Sequence, residues 1–303
     1  MTAPARPEWI IEPFTVVDGG LSTALEALGH RPAGHLWTAQ LVAVAPDLVV
    51  QAHRGFVEAG ADVVISASYQ ASVPGFERAG LDRRSAHAAL ASTTTLARRS
   101  GARFVAASIG PFGAVLGDGS EYSGRYDLSW EGVRAFHRER LVVLADTAPD
   151  LFAIETIPSR AEAEIVLDEL ARVSSTPAWL STTCADGSHT WAGDDISELA
   201  RHVGQAPNLA AFGINCTHPR HVPALLRRAA ASTSLPLVAY PNHGRDWDGQ
   251  NECWIGNPDS TELADEAAAW AEIGARVLGG CCGVGVDGIA RLARARAALA
   301  SIP

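Results

Sequence analysis

Eight short apolar runs, each followed by a stretch with helical spacing, constrain this chain more than any other feature. They are TVVDGG (15–20), DVVISASY (62–69), FVAASIG (104–110), LFAIET (151–156), AWLSTT (178–183), AAFGIN (210–215), PLVAYPN (236–242) and RVLGGCC (276–282). Apolarity at consecutive positions suits strands buried on both faces. Helical patterns lie between them, for example SAHAALASTTTLARR (85–99), SRAEAEIVLDELARV (159–173), PRHVPALLRRAAA (219–231) and DSTELADEAAAWAEIG (259–274). Asp259 or Ser260 offers an N-cap to the last of these and Gly274 a stop. Ser159 with Glu162 reads as a capping box. The alternation predicts a (β/α)8 TIM barrel, one domain over residues 1–303, and a mean period of about 38 residues suits a barrel of roughly 250 residues plus loops. A doubly wound open sheet is the alternative, but VDGGLSTALEALG lacks the GxGxxG spacing of its phosphate turn. Stretches 21–45, 111–128 and 243–258 are too long for tight turns. All three follow strand ends, on the face where barrel active sites lie.

Composition narrows the function. The chain is 47% hydrophobic and carries a formal net charge of −10, from 34 acids against 24 bases. An acidic surface argues against nucleic acid and anionic membranes as main partners. No apolar run approaches the roughly 18 residues of a membrane span. The opening MTAPARPEWIIEPF lacks the basic start and apolar core of a signal peptide. Five cysteines do not form a secreted disulfide framework, so a reducing cytoplasm is expected. Every base is an arginine. Codon bias accounts for that, yet it excludes Schiff-base, pyridoxal-phosphate and phosphate-loop lysine chemistry all the same.

Chemistry-capable residues fall at strand ends. Asp18 ends the first run, Ser68, Tyr69 and Gln70 the second, and Glu155 the fourth. Asn215 and Cys216 end the sixth, Asn242 follows the seventh, and Cys281 and Cys282 end the eighth. In a parallel barrel these ends converge on one mouth. Adjacent cysteines, with Cα atoms about 3.8 Å apart, hardly pair with each other. Either they are small apolar packing, or three thiols from two strands bind zinc and leave a fourth, open position. Three thiolates make a poor centre for splitting water but a good one for a further thiol, which would bind ionised and nucleophilic. The expected reaction is attack by a substrate sulfur on an activated carbon. With a sulfonium donor, two opposite charges become neutral thioethers, a change that a dry site favours.

Taken together, VDGGLSTALEALG (17–29), HLWTAQL (35–41), SASYQAS (66–72), SIGPFGAVLGDGSEYSG (108–124), ETIPS (155–159), FGINC (212–216), AYPN (239–242) and GARVLGGCCG (274–283) resemble the homocysteine S-methyltransferase family over nearly the whole chain. The resemblance implies a (β/α)8 barrel with Zn2+ on Cys216, Cys281 and Cys282. It implies methylation of homocysteine to methionine from S-methylmethionine or S-adenosylmethionine rather than betaine. By the same resemblance Asp18 and Glu155 hold the homocysteine amino group, and the amides of Gly19 and Gly20 its carboxylate. Ser68 and Asn215 belong to the same substrate-binding rim. Tyr69, Gln70, Tyr240 and Asn242 line a donor pocket or brace loops, and Trp37 faces the sulfonium or packs. One departure is PNHGR (241–245) where family members often read PNSGE. There His243 and Arg245 replace a hydroxyl and an acid.

Other readings stay open on the residues alone. They are a different thiol or selenol acceptor, a zinc hydrolase using the open position for water, and a non-catalytic zinc- or redox-responsive protein. Cys184 reads as a structural thiol and Cys253 as incidental in a polar loop. The ten histidines form no metal motif and are expected on the surface or in loops.

Overall fold

Strands that are apolar at every position need cover on both faces, and a closed parallel ring wrapped in helices supplies it. A computed structural model describes residues 7–31, 36–244, 246–248, 253–255 and 263–301. The ring is built from β1 (Thr15–Val16), β2 (Val63–Ile65), β3 (Phe104–Ile109), β4 (Leu151–Ile157), β5 (Ala178–Thr182), β6 (Leu209–Asn215) and β7 (Leu237–Tyr240). A hairpin of β8 (Asp246–Asp248) and β9 (Cys253–Ile255) precedes the last ring strand, β10 (Ala275–Leu278). The order around the ring is β1-β10-β7-β6-β5-β4-β3-β2. A Val17–Val63 parallel bridge joins its two ends, with Asp18 N–H donating to Val63 O at 3.1 Å. The barrel is therefore closed, as the alternation predicts.

Period-two geometry sorts each strand between two cores. Leu151, Ala153, Trp179, Ala211, Val238, Tyr240 and Val277 meet inside the ring. Their neighbours Phe152, Ile154, Leu180, Phe212, Ile214, Leu237 and Leu278 pack outward with the helices. Gly213 is needed where β6 and β7 approach: a Cβ there would lie 1.9 Å from Val238 O. Trp9 joins the interior cluster edge-on to Trp179, centroids 5.7 Å apart.

Side-chain caps start the helices. Asp82, Ser129 and Asp195 accept first-turn amides of helices Arg83–Arg99, Trp130–Ala145 and Ile196–Val203. Ser159 caps Arg160–Val173 through Glu162 N–H at 3.3 Å. The other half of the expected capping box does not form. The Glu162 carboxylate instead accepts from Phe112 N–H at 2.6 Å and Tyr126 O–H at 2.6 Å, and meets His137 Nε2 at 2.9 Å. Gly274, at φ 120°, follows helix Leu263–Ile273 as expected, whereas Asp259 and Ser260 lie outside the described residues.

The long stretches carry structure of their own. Helices Leu21–Ala27 and Ala39–Val44 occupy the first, and a 3-10 turn (Phe112–Val115) and a single helical turn (Ser120–Ser123) the second. The third holds the β8–β9 hairpin, so Cys253 sits in a strand rather than a polar loop. Two histidines depart from the surface expectation. His53 and His137 are fully buried, and burial lowers the pKa of both, His53 to about 4. Among the described residues no helix is long and apolar enough to cross a membrane.

Candidate active site

Cys216 follows β6 directly, and Cys281 and Cys282 follow β10, with β7 between them in the ring. The end of β7 anchors both segments: Cys216 N–H donates to Tyr240 O at 3.2 Å and Cys281 N–H to Pro241 O at 2.8 Å. Cys216 Sγ lies 3.8 Å from Cys282 Sγ, which is 4.0 Å from Cys281 Sγ, and all three sulfurs fall within 4.8 Å of one another. Cys216 adopts φ 45°, a left-handed conformation that costs a non-glycine residue on the order of 1 kcal/mol. The strained turn aims its thiol at the vicinal pair.

The paired glycines explain how two loops can nest here. A Cβ on Gly19 would lie 2.3 Å from Val284 O, and one on Gly20 2.8 Å from Cys281 O. Gly280 N–H donates to Asp18 O at 3.1 Å, and Gly283 N–H to Thr23 Oγ1 at 3.0 Å. The first strand's loop is thereby locked against the cysteine loop.

Electrostatics in the cluster are collective. Hydrogen bonds from the Cys281 and Cys282 thiols, with help from Tyr122, hold the Cys216 thiol well below its usual pKa against the opposing effect of burial. Their interaction with Cys216 keeps Cys281 and Cys282 well above theirs. Ionisation is thus favoured at Cys216 and opposed at its two neighbours. A tetrahedral zinc with sulfurs at about 2.3 Å needs those sulfurs about 3.8 Å apart. The observed 3.8 and 4.0 Å separations meet that requirement, and soft thiolates suit the ion.

Two buried acids stand beside the cluster. Asp18 accepts from Ile65 N–H at 3.0 Å, and burial, opposed by that bond and reinforced by the charge of Glu155, raises its pKa well above the usual range. Glu155 accepts the Ser108 hydroxyl. Burial pushes it up to about 7, while the Ser108 and Tyr240 hydroxyls oppose the rise and Cys216 adds to it. Neither acid has an ion-pair partner among the described residues. A dry carboxylate pair lacking a cation is suited to an incoming ammonium.

The other sequence-derived residues fall around this centre in less direct roles. Gly20 N–H donates to Val284 O at 3.0 Å, whereas Gly19 N–H has no hydrogen bond among the described residues. Ser68 donates to Ser108 O at 2.8 Å and Gln70 to Ala114 O at 2.9 Å. Asn242 Oδ1 accepts from Gly244 N–H at 2.9 Å. Tyr240 O–H lies inside the barrel, 2.6 Å from Ser181 Oγ and 3.1 Å from Trp179 Nε1. Asn215 is committed to Thr156. These are bracing contacts. Tyr69 lies against Gly110, where a Cβ would be 2.6 Å from its ring. Trp37, at φ 46°, lies in the turn before helix Ala39–Val44. Cys184 is buried, with its thiol pKa raised by burial, as a structural thiol would be. Arg245 lies outside the described residues. Sequence reading assigned no role to Tyr122, whose hydroxyl is 3.6 Å from Cys216 Sγ, nor to Glu121. Both stand in the quoted GDGSEYSG stretch, where only the length of the loop signalled them.

A closed (β/α)8 barrel with a trio of thiols that could hold a metal, and a buried acid pair at the same rim, defines a class of parallel barrels with a cysteine cluster at the strand ends. Within that class the chain belongs to the homocysteine S-methyltransferase family, whose model matches residues 15–296, and it is a methyltransferase. It is 40% identical to homocysteine S-methyltransferase 4 of Zea mays, over 92% of this chain and 88% of that one. It is 37% identical to the homocysteine S-methyltransferase of Escherichia coli, over 88% and 90%. Among solved structures, the metallated form of the Escherichia coli homocysteine methyltransferase MmuM superimposes with a TM-score of 0.83. That match has 35% identity and covers 93% of this chain and 96% of the other.

Proposed function

We propose that this protein transfers a methyl group from S-methylmethionine or S-adenosylmethionine to the thiol of homocysteine, giving methionine, with Zn2+ held by Cys216, Cys281 and Cys282. The observation that carries the reading is the meeting of three sulfurs within 4.8 Å beside the buried acids Asp18 and Glu155. When bound, Zn2+ supplies the acidity that ionises an incoming thiol at neutral pH.

The chain's own residues do the rest. Asp18 and Glu155 take the acceptor's ammonium, and Gly19 N–H its carboxylate, so the acceptor's sulfur points at the cysteines. The acceptor sulfur then forms a bond to the donor's methyl carbon. The methyl–sulfonium bond breaks, its electron pair stays on the donor sulfur, and that sulfur leaves as a neutral thioether. The acceptor's thiol proton goes to solvent before this step, so no side chain acts as general base. Tyr122 donates its hydroxyl toward Cys216 Sγ and tempers the charge of the cluster. Proximity and exclusion of water lower the barrier, because opposite charges vanish as the bond forms. Free cysteines of this kind suit a reducing cytoplasm, and the partners are small molecules rather than nucleic acid or membrane.

A donor panel tests the proposal. Purified protein with zinc and homocysteine is incubated with S-methylmethionine, S-adenosylmethionine or betaine, and methionine is quantified. Methionine is expected from a sulfonium. Its absence with every sulfonium would overturn the reading.

A further inference from the structure

Glu121 raises a physical problem that the acceptor chemistry does not solve. Its charge acts on Cys216, Cys282 and Tyr69, so it stands beside a cluster that is already negative. It is half-buried and has no hydrogen-bond or ion-pair partner among the described residues. Like charges brought together in a partly dry site are destabilising unless a proton or a cation joins them. The placement is fixed rather than loose. The turn Ser120–Ser123 is bracketed by left-handed Gly119 (φ 81°) and Gly124 (φ 64°), and a Cβ on Gly113 would lie 2.3 Å from Glu121 N.

Aromatic surface adjoins this carboxylate. Tyr122, with its hydroxyl 3.6 Å from Cys216 Sγ, packs edge-on to Trp191 with centroids 6.4 Å apart. Trp191 is 53% exposed, whereas Trp9, Trp179 and Trp270 are at most 3% exposed. A large aromatic left open beside Tyr122, which itself lies against the Glu121 charge, suits a soft organic cation.

We infer that Glu121, Tyr122 and Trp191 form a subsite for the sulfonium centre of the methyl donor. The identity of the cation rests on the methyl-transfer reading above. In a donor the positive charge sits on the reacting atom's own sulfur, which must come close to the thiol cluster. A donor's remote ammonium need not, so residues beside Cys216 meet the sulfonium. The kinetic consequence is specific. A carboxylate stabilises the full charge of bound donor more than the fading charge of the transition state, so Glu121 acts on donor KM rather than on kcat.

The test uses the zinc-loaded full chain, with trimethylsulfonium as a bare cation and tert-butanol as its uncharged counterpart. Calorimetry should show trimethylsulfonium binding to the wild type and no comparable binding of tert-butanol. Glu121→Gln should weaken trimethylsulfonium binding and raise donor KM, each by about tenfold, the size of one partly screened charge pair, with kcat changing far less. Glu121→Asp should fall between, and Trp191→Leu should weaken the cation without altering homocysteine KM. Unchanged melting temperatures in these variants show that the fold is intact. Equal trimethylsulfonium affinity in wild type and Glu121→Gln, or none in the wild type, overturns the subsite. The two readings fail separately. Trimethylsulfonium binding that depends on Glu121, with no methionine formed from any sulfonium, keeps the subsite and removes the proposed reaction. Methionine formation with Glu121-independent trimethylsulfonium binding does the reverse.

Discussion

Asn215 and Thr156 grip each other across the end of the intervening strand β5: Thr156 N–H donates to Asn215 Oδ1 at 2.7 Å, and Asn215 Nδ2 donates to Thr156 Oγ1 at 2.7 Å. Each residue adjoins one half of the site, since Thr156 follows Glu155 and Asn215 precedes Cys216. Thr156 (φ 60°) and Cys216 (φ 45°) are both left-handed, a conformation uncommon for any residue but glycine and rarer still for β-branched threonine. The clamp offsets that strain with two buried hydrogen bonds. Asn215→Ala is expected to destabilise the fold by about 3 kcal/mol, through two lost bonds and the groups left unpaired. Asn215→Asp keeps the acceptor but not the donor and should lie between. Denaturant unfolding checks the order. Zinc retention should decline in the same order, because Cys216 loses its support.

Metal removal gives a prediction of a different kind. Cys216, Cys281 and Cys282 come from two separated segments, so an ion that binds all three ties the β6 and β10 ends together. Chelation should lower the melting temperature, because a ligand bound only by the native state stabilises it by mass action. Cys216→Ala and Cys281→Ala should lose bound zinc, measured by elemental analysis, together with turnover. They should also melt at the same temperature with and without chelator. Full activity in a zinc-free variant would falsify the metal's role.

The sequence makes the barrel legible because burial on both faces leaves continuous apolar runs, and the cysteines legible because chain ends of parallel strands must meet. Side-chain direction is less accessible. Asn215, Tyr240, Gln70 and Ser68 sit at the right strand ends, yet their polar atoms turn to neighbouring backbone and side chains. Atoms buried at these strand ends need partners, and the neighbouring chain supplies them. Glu162 misleads for the same reason: three donors from the loop after β3 and from helix Trp130–Ala145 compete for its carboxylate and win over the local cap. Tyr122 and Glu121 were hidden because a single helical turn in a long loop has no periodicity to announce which way it faces.

Arg140 supports the rim from beneath and should be intolerant of change. It is fully buried, with no carboxylate partner among the described residues, and donates to Gly110 O at 2.9 Å and to Ser68 O and Tyr69 O at 2.8 Å. Burial lowers its pKa to about 10, so it stays charged at neutral pH, held by three carbonyl dipoles and by the face of Phe136, 5.1 Å from its centroid, while its Nε finds no partner among the described residues. Arg140→Met removes three donors and strands the carbonyls of two strand ends. A loss of about 3 kcal/mol is expected in chemical denaturation. Arg140→Lys, with one compact charge, should recover only part of it. Because Tyr69 borders the site, acceptor KM should rise in both variants.

Glu155 links pH to both stability and acceptor binding. Its pKa rises from the unfolded value near 4.5 to about 7, chiefly through burial. The native state therefore holds a proton that the unfolded state has released between those two values. Stability consequently falls as pH rises from about 4.5 to 7 and levels off above, by up to about 3 kcal/mol for this group. Asp18, raised for the same first reason, reinforces the slope. Thermal melts of metal-free protein across pH 4.5 to 8 should show the decline, and Glu155→Gln should flatten much of it. Acceptor binding runs the opposite way. The ammonium needs Glu155 ionised, so homocysteine KM should fall as pH rises through about 7. In Glu155→Gln that pH dependence should vanish while KM itself stays high, and a Glu155→Gln enzyme that keeps the wild-type KM profile would assign the ammonium elsewhere.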